Sequence, residues 1–366
     1  MTAAQPSETS ATQPSACARQ GQVTEARRSP SDGPARERTV LAAAEHFLRE
    51  RAAGEAQRTV LRAALEQIGA HLGRAEPPPF YLSCVHVPLL AYAAVRGASE
   101  PALPLAVACV FVHAGLDLLD DVMDGDLPPG WRERPAQAVL AGATLTGALA
   151  PLALAAVDAS AHTVLALQRL LAEAGLQISA GQQADVSAAH TSEIPGATEL
   201  ARLAEQKTGG EVALYAALAA RLAGAPSAAA KQWAAFGRAL GAARQLRMDC
   251  FDLFAAQPGK DLAAGTRTLP IALFYEDLPA AERPAFRALL TRAEREDVAQ
   301  RTIREKLVAA GILQSCAVVV ESYCVRAHTA LAAAGAREPA AGELRAMIDD
   351  CSFFNGRPGQ DMVSNP

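Results

Sequence analysis

The chain has 366 residues, half of them hydrophobic, a fifth charged and only 5% aromatic. Its core must be built largely from Ala, Leu and Val, a composition that suits closely packed helices better than sheets. The formal charge of −5, from 34 basic and 39 acidic residues, argues against nucleic acid as a partner, because phosphate-backbone binding leans on clustered Lys and Arg.

Residues 1–38 are rich in Pro, Ser, Thr, Gln and Arg without apolar periodicity, and read as a disordered leader. They lack the basic start and apolar core of a secretory signal. From Thr39 onward, "TVLAAAEHFLRE" and "AQRTVLRAALEQIGAHLG" carry apolar residues at three- and four-residue spacing, the period of a helix. "AEPPPF" at 75–80 interrupts the pattern. Further helices are expected at 82–96, 101–124, 136–149, 152–176, 178–189 and 197–223. Others follow at 227–254, 267–275, 279–293, 297–310, 312–334 and 341–351, separated by breakers such as "GDLPPG", "SEIPG", "AGAPS" and "AAQPGKD". No segment alternates with period two. The expectation is an all-α, single-domain helical bundle over 39–351, with a flexible tail at 352–366.

Ala136–Val157 contains no charged residue and is long enough to cross a bilayer. Its Ala, Gly and Thr content and Pro151 make it a poor membrane helix, so it reads as a buried helix pair and no membrane span is expected. The seven cysteines are scattered and form no C-x-x-C. They read as reduced thiols in a cytoplasmic protein.

Chemistry concentrates in two acidic stretches. In "LLDDVMDGD" (118–126) and the residues before it, Asp117, Asp120, Asp121 and Asp124 follow an i, i+3, i+4, i+7 pattern and share one helical face. Stacked like charges repel, so a cation should compensate them, and hard oxygen ligands favour Mg²⁺, Mn²⁺ or Ca²⁺. A second helix, "RQLRMDCFDLF" (244–254), aligns Asp249 and Asp252. Between them lie "GQQAD" (181–185) and "EQKTGGE" (205–211), and Lys260 follows in "PGKD". In a bundle, such residues can face one cavity. Opposed acidic walls with interspersed Lys and Gln suit a diphosphate clamped by Mg²⁺.

The order D-D-x-x-D, G-Q-x-x-D, K-T, Q-x-x-x-D-x-x-D and G-K-D resembles the trans-isoprenyl diphosphate synthase family (polyprenyl synthetases) over about residues 40–335. The resemblance implies the isoprenoid synthase bundle around a central cavity, Mg²⁺, an allylic prenyl diphosphate as substrate and a homodimer. It implies metal binding by Asp120, Asp121, Asp124, Asp249 and Asp252. It assigns ionisation to Asp120, Asp121, Asp124, Lys207, Gln245 and Lys260, and puts Gln182, Asp185 and Thr208 beside the diphosphate. His113, seven positions before Asp120, sits where many members have histidine and reads as structural. Gly115 and Leu116, five and four positions before Asp120, would set tunnel depth, the small Gly115 permitting a C15 or longer chain.

The sequence departs from the family pattern in three places. "SCVHVP" (83–88) puts Cys84, Val85 and Val87 where cations for isopentenyl diphosphate are expected. The R-R-G after the first motif is absent, with Arg132 and Arg134 as imperfect replacements. Met248 takes the place of the second motif's first aspartate, and a thioether is a poor ligand for hard Mg²⁺; Arg244 replaces an aromatic before Gln245. The expectation is an enzyme that ionises an allylic diphosphate, with cyclisation, as in terpene synthases, or transfer to an acceptor other than isopentenyl diphosphate. The alternatives are a chain-elongating synthase that recruits Arg132, Arg134 or Arg96, and a non-catalytic partner subunit.

Overall fold

Helical periodicity from end to end produces a bundle with no strand among the described residues. The computed structural model describes residues 32–71, 82–189, 193–255 and 260–354. In chain order the helices are α1 (Asp32–Arg51), α2 (Glu55–His71), α3 (Ser83–Arg96), α4 (Leu103–Asp124), α5 (Pro135–Thr144) and α6 (Ala150–Ala155). Then come α7 (Ala161–Ala189), α8 (Ala197–Gln206), α9 (Thr208–Leu222), α10 (Ser227–Phe254) and α11 (Asp261–Ala264). The last five are α12 (Leu269–Asp277), α13 (Arg283–Ala293), α14 (Asp297–Ala309), α15 (Ile312–Ala333) and α16 (Ala340–Asp349). The expected all-α bundle is therefore present.

α4 is the central strut. Leu105 to Val112 are buried on every side, which is why this stretch is apolar all round rather than striped. It packs against α1, α3, α5 and α6, while α10 packs against α9 and α15. Two close approaches need glycine. A β-carbon on Gly115 would lie 2.5 Å from Thr146 Cγ2 and 2.8 Å from Gly142 O, so α4 and α5 meet backbone to backbone. Likewise, β-carbons on Gly237 and Gly241 of α10 would strike the carbonyl oxygens of Val212 and Thr208 on α9. The second contact fixes Thr208 beside the turn of α10 that carries Gln245.

Several expected boundaries are corrected. α1 starts at Asp32, inside the expected leader, because Glu37 is buried against α3 and Arg36 pairs with Glu343 at 2.9 Å. Residues 1–31, "AEPPPF", most of "AAQPGKD" and 355–366 lie outside the described residues. The chain does not break at Pro151. α5, a π-helical turn at Leu145–Leu149 and α6 follow without interruption, and the break comes at 156–160. The wider π register places Pro151, which has no N–H to donate, in the first turn of α6. The expected joint near 177 is absent, since α7 runs through it. The expected helix 197–223 is interrupted at Lys207, whose ψ of −96° is outside the helical range.

Glu100–Asp124 and Pro135–Ala155 are each long and apolar enough to cross a membrane, but 67% and 44% of those windows are buried within the bundle. The second stretch, read from the sequence as a buried helix pair, is thus about half covered, with Leu140 67% exposed. The six described cysteines are buried and free.

Candidate active site

α4 turns acidic in its last two turns, at the point where it leaves the core. Asp117, Asp120 and Asp121 are half-buried there, and Asp124 is exposed at the helix end. The break between α8 and α9 brings Lys207 Nζ to 2.5 Å from Asp185 Oδ2 on α7 and 3.5 Å from Asp120 Oδ1. Gln182 Nε2 donates to the same Asp120 oxygen at 2.5 Å. One cation therefore ties the first acidic motif to the G-Q-x-x-D segment. Beside it, Thr208 Oγ1 donates to Gln245 Oε1 at 2.9 Å, and Gln245 Nε2 donates to Asp249 Oδ1 at 3.0 Å. The chain Asp120–Lys207–Thr208–Gln245–Asp249 links α4 to α10 across the mouth.

The start of α11 lies at the rim. Asp252 accepts the backbone N–H groups of Lys260 and Asp261 at 3.1 and 3.0 Å. Lys260 Nζ, exposed, donates to both carboxylate oxygens of Asp126 at 3.0 and 3.1 Å. Lys260 thus joins the end of α4 to the start of α11, and Asp252 shapes that segment.

Crowded negative charge shows in the proton affinities. Burial, with Asp117 close by, pushes Asp121 up to about 6 despite the Gln67 hydrogen bond. Burial also pushes Asp249 up to about 6 and Asp261 up to about 7, the latter reinforced by Asp252, Asp249 and Asp124. Asp120 and Asp124 are raised by burial, opposed in both cases by Lys207. Burial works against the Lys207 ammonium, but Asp120 and Asp185 outweigh it and raise its pKa. Asp261 feels Asp124 as well as Asp249, so both acidic walls share one electrostatic field.

Among the described residues, no group of three or more His, Cys, Asp or Glu side chains is gathered closely enough to hold a metal ion. The donor set nevertheless fits one. These are hard carboxylates, and Mg²⁺ takes only one or two carboxylates when substrate phosphates complete its shell. Asp120, Asp121, Asp124 and Asp249 are the residues that could hold it. Met248 is 40% exposed and adds no oxygen ligand.

Behind the mouth lies an apolar cavity of about 320 Å³, lined by Val112 and Leu116 of α4, Thr146 of the π turn, Leu171 and Ile178 of α7, and Leu214 of α9. Leu116 lines it as expected of a depth-setting residue. Gly115 does not; it is spent on the α4–α5 contact, which corrects its assignment to the tunnel. Arg132 and Arg134 are exposed and bond their own loop, at Leu127 O and Gly130 O, with Arg134 over the Trp131 ring.

At the start of α3, Cys84, Val85 and Val87 are buried. Glu37 Oε1 accepts the backbone N–H of Leu82 at 3.1 Å and lies 2.9 Å from His86 Nε2. Two guanidinium groups reach this end: Arg244 Nη1 donates to Ser83 Oγ at 2.8 Å, and Arg36 Nη1 lies 3.5 Å from His86 Nδ1. Sequence reasoning missed Gln67, Asp261 and Glu211. Asp261 was visible in G-K-D, and Glu211 as a lone acid in an apolar helix.

A family model for polyprenyl synthetase matches residues 86–307. The (2E,6E)-farnesyl diphosphate synthases of Mycobacterium tuberculosis and Mycobacterium bovis are 33% identical over 202 residues, covering 50% of this chain and 54% of theirs. The chain therefore spans about half the length of the curated relatives it matches. A geranylgeranyl pyrophosphate synthetase from Geoglobus acetivorans superposes with a TM-score of 0.74 at 24% identity, over 88% of this chain and 99% of its own. A decaprenyl diphosphate synthase from Rhodobacter capsulatus gives 0.72 at 22%, over 90% and 100%. At these identities the structural likeness establishes the fold.

Proposed function

The chain belongs to the polyprenyl synthetase family, and on that premise we propose that it is a Mg²⁺-dependent prenyltransferase that ionises an allylic prenyl diphosphate. One observation carries this reading: the Asp120–Lys207–Asp185 bridge is held by the same helices, α4 and α7, that supply Leu116 and Ile178 to the wall of an apolar cavity one to two turns away. A diphosphate fits the charged mouth and a prenyl chain the cavity. Lys207 would hold the leaving diphosphate and offset charge as the C–O bond breaks. Gln182 and Asp185 orient Asp120 and Lys207. Mg²⁺ held by Asp120, Asp121, Asp124 and Asp249 would supply Lewis-acid stabilisation of the departing diphosphate.

Similarity to farnesyl diphosphate synthases favours condensation with isopentenyl diphosphate as the fate of the allylic cation, with Arg244 rather than Arg132, Arg134 or Arg96 near the second headgroup. A second reading, cyclisation or transfer to another acceptor, is favoured by the start of α3. A helix N-terminus attracts an anion, but here the Glu37 carboxylate already takes the Leu82 N–H. A C15 or longer allylic diphosphate is the proposed substrate. The exposed Val139, Leu140, Leu152 and Leu165 on α5–α7 support a homodimer.

Geranyl, farnesyl and geranylgeranyl diphosphates with Mg²⁺, with and without isopentenyl diphosphate, separate these fates. Longer diphosphates formed only with isopentenyl diphosphate support elongation. Hydrocarbon or alcohol from the allylic substrate alone supports the second reading. Lys207→Ala should lower pyrophosphate release about 100-fold or more. A wild-type chain without turnover, active only beside another subunit, would instead be a partner subunit.

A further inference from the structure

We propose that Gly147 and Gly175 determine the length of prenyl chain this site accepts, by leaving the far end of the cavity unwalled. The inference deepens the ionisation reading above and rests on it. From the charged mouth, α7 presents Gln182, Ile178, Gly175, Leu171 and Gln168 at steps of four, three, four and three residues, which is one helical face. Gln182 holds Asp120 at the mouth, and the other four line the cavity. On α4 the same descent runs from Asp120 to Leu116 and Val112. Gly175 lies about 10 Å along the axis of α7 from Gln182. Thr146 and Gly147 of the π turn line the same cavity.

Glycine weakens the interior of a helix, so each one there calls for a reason. The glycines of α4, α5, α9 and α10 have one. A β-carbon on any of them would come within 3.2 Å of a neighbouring atom, so these positions let helices meet. Gly181 of α7 likewise has the Gln206 side chain at 3.0 Å. Gly147 and Gly175 differ, because a β-carbon on either would meet nothing within 4 Å. Neither has a positive φ that other residues would resist. Packing and backbone therefore explain neither glycine, and what the two share is the cavity.

Both are exposed, as is the lining residue Ala172, so the cavity opens to the surface at this end. Its wall suits hydrocarbon. Thr146 Oγ1 donates to Gly142 O at 2.8 Å and Gln168 Nε2 to Pro151 O at 3.2 Å, so hydroxyl and amide N–H are taken up by backbone carbonyls. An extended chain advances about 1.2 Å per bond, so an isoprene unit of four chain bonds spans about 5 Å. Two units reach the level of Gly175 and a third passes it. A geranyl chain thus ends short of the glycines, whereas farnesyl and geranylgeranyl chains run past them toward the opening. A side chain at either position would supply the missing wall.

The test compares geranyl, farnesyl and geranylgeranyl diphosphates in wild type, Gly147→Leu, Gly175→Leu and a control, Ala148→Leu, at an exposed position that does not line the cavity. It measures kcat/KM for pyrophosphate release with Mg²⁺, with and without isopentenyl diphosphate. Calorimetry adds the affinities for the three analogues with a bridging sulfur, which bind but resist ionisation. Wild type should prefer the two longer chains. Each glycine variant should lower the geranylgeranyl-to-geranyl ratio about tenfold or more, in turnover through KM and in affinity, with geranyl diphosphate within about threefold of wild type. Ala148→Leu should leave the ratio unchanged. Leucine is the better helix former, and Gly175→Met, flexible and unbranched, decides the matter if neither leucine variant folds. An unchanged ratio in the folded variants, an equal loss for all three chains, the same shift in Ala148→Leu, or a wild type that prefers the geranyl chain overturns the assignment and leaves the ionisation reading in place. Affinity ratios that shift as expected in a protein that never releases pyrophosphate uphold the assignment and overturn the ionisation reading. A wild type that neither releases pyrophosphate nor binds any analogue overturns both.

Discussion

Lys207 is the residue on which the mouth is organised, since its ammonium pairs with both Asp120 and Asp185. His113 Nδ1 lies 2.9 Å from Glu211 Oε1, and this pair gives α4 and α9 a pH-dependent link. Burial disfavours the imidazolium, but Glu211 outweighs it and raises the His113 pKa above 6.5. Its contribution to stability is full below 6.5 and is lost as pH rises through the folded value. Glu211 is held below its ordinary 4.5, so its contribution is full above 4.5 and is lost as pH falls through the folded value. The melting-temperature gap between wild type and His113→Asn should be widest from pH 4.5 to 6.5 and narrow at higher pH. A gap that widens with rising pH would contradict the pairing. The aspartate stripe was legible because its spacing lies within one helix. The pairing of Glu211 was not, because its partner His113 is 98 positions away. Gly115 was misread because its partners in the α4–α5 contact lie on another helix, which spacing within α4 does not reveal.

At the scale of elements, the site depends on how closely α9 and α10 approach. Gly241 lies against the Thr208 carbonyl, and one turn later Gln245 receives the Thr208 hydroxyl. Gly241→Ala adds a methyl with no room and should destabilise the chain by about 1–3 kcal/mol. It should also weaken pyrophosphate binding, because Thr208 and Gln245 part. Urea unfolding and calorimetric titration check the two effects, and an unaltered midpoint would refute the close packing. Most helices were legible from their apolar period. The break at Lys207 and the continuity through Pro151 were not, since both depend on backbone register. The early start of α1 was hidden because its first residues are polar, and their order comes from Glu37 reaching Leu82, 45 positions on.

For the whole molecule, α5 to α7 form a poorly covered side. Leu140, Leu165 and Leu176 are 67%, 65% and 71% exposed, and an interface on this side would cover them. Light scattering should give twice the chain mass, and Leu140→Glu should shift it toward the monomer; a monomeric wild type would refute the homodimer. The most direct measurement of the acidic chamber is anomalous diffraction from crystals soaked with Mn²⁺ and inorganic pyrophosphate. Metal peaks beside Asp120, Asp121 and Asp124, with pyrophosphate reaching Lys207, are the expected result. Peaks confined to the outer surface, with nothing bound between α4 and α10, would contradict it.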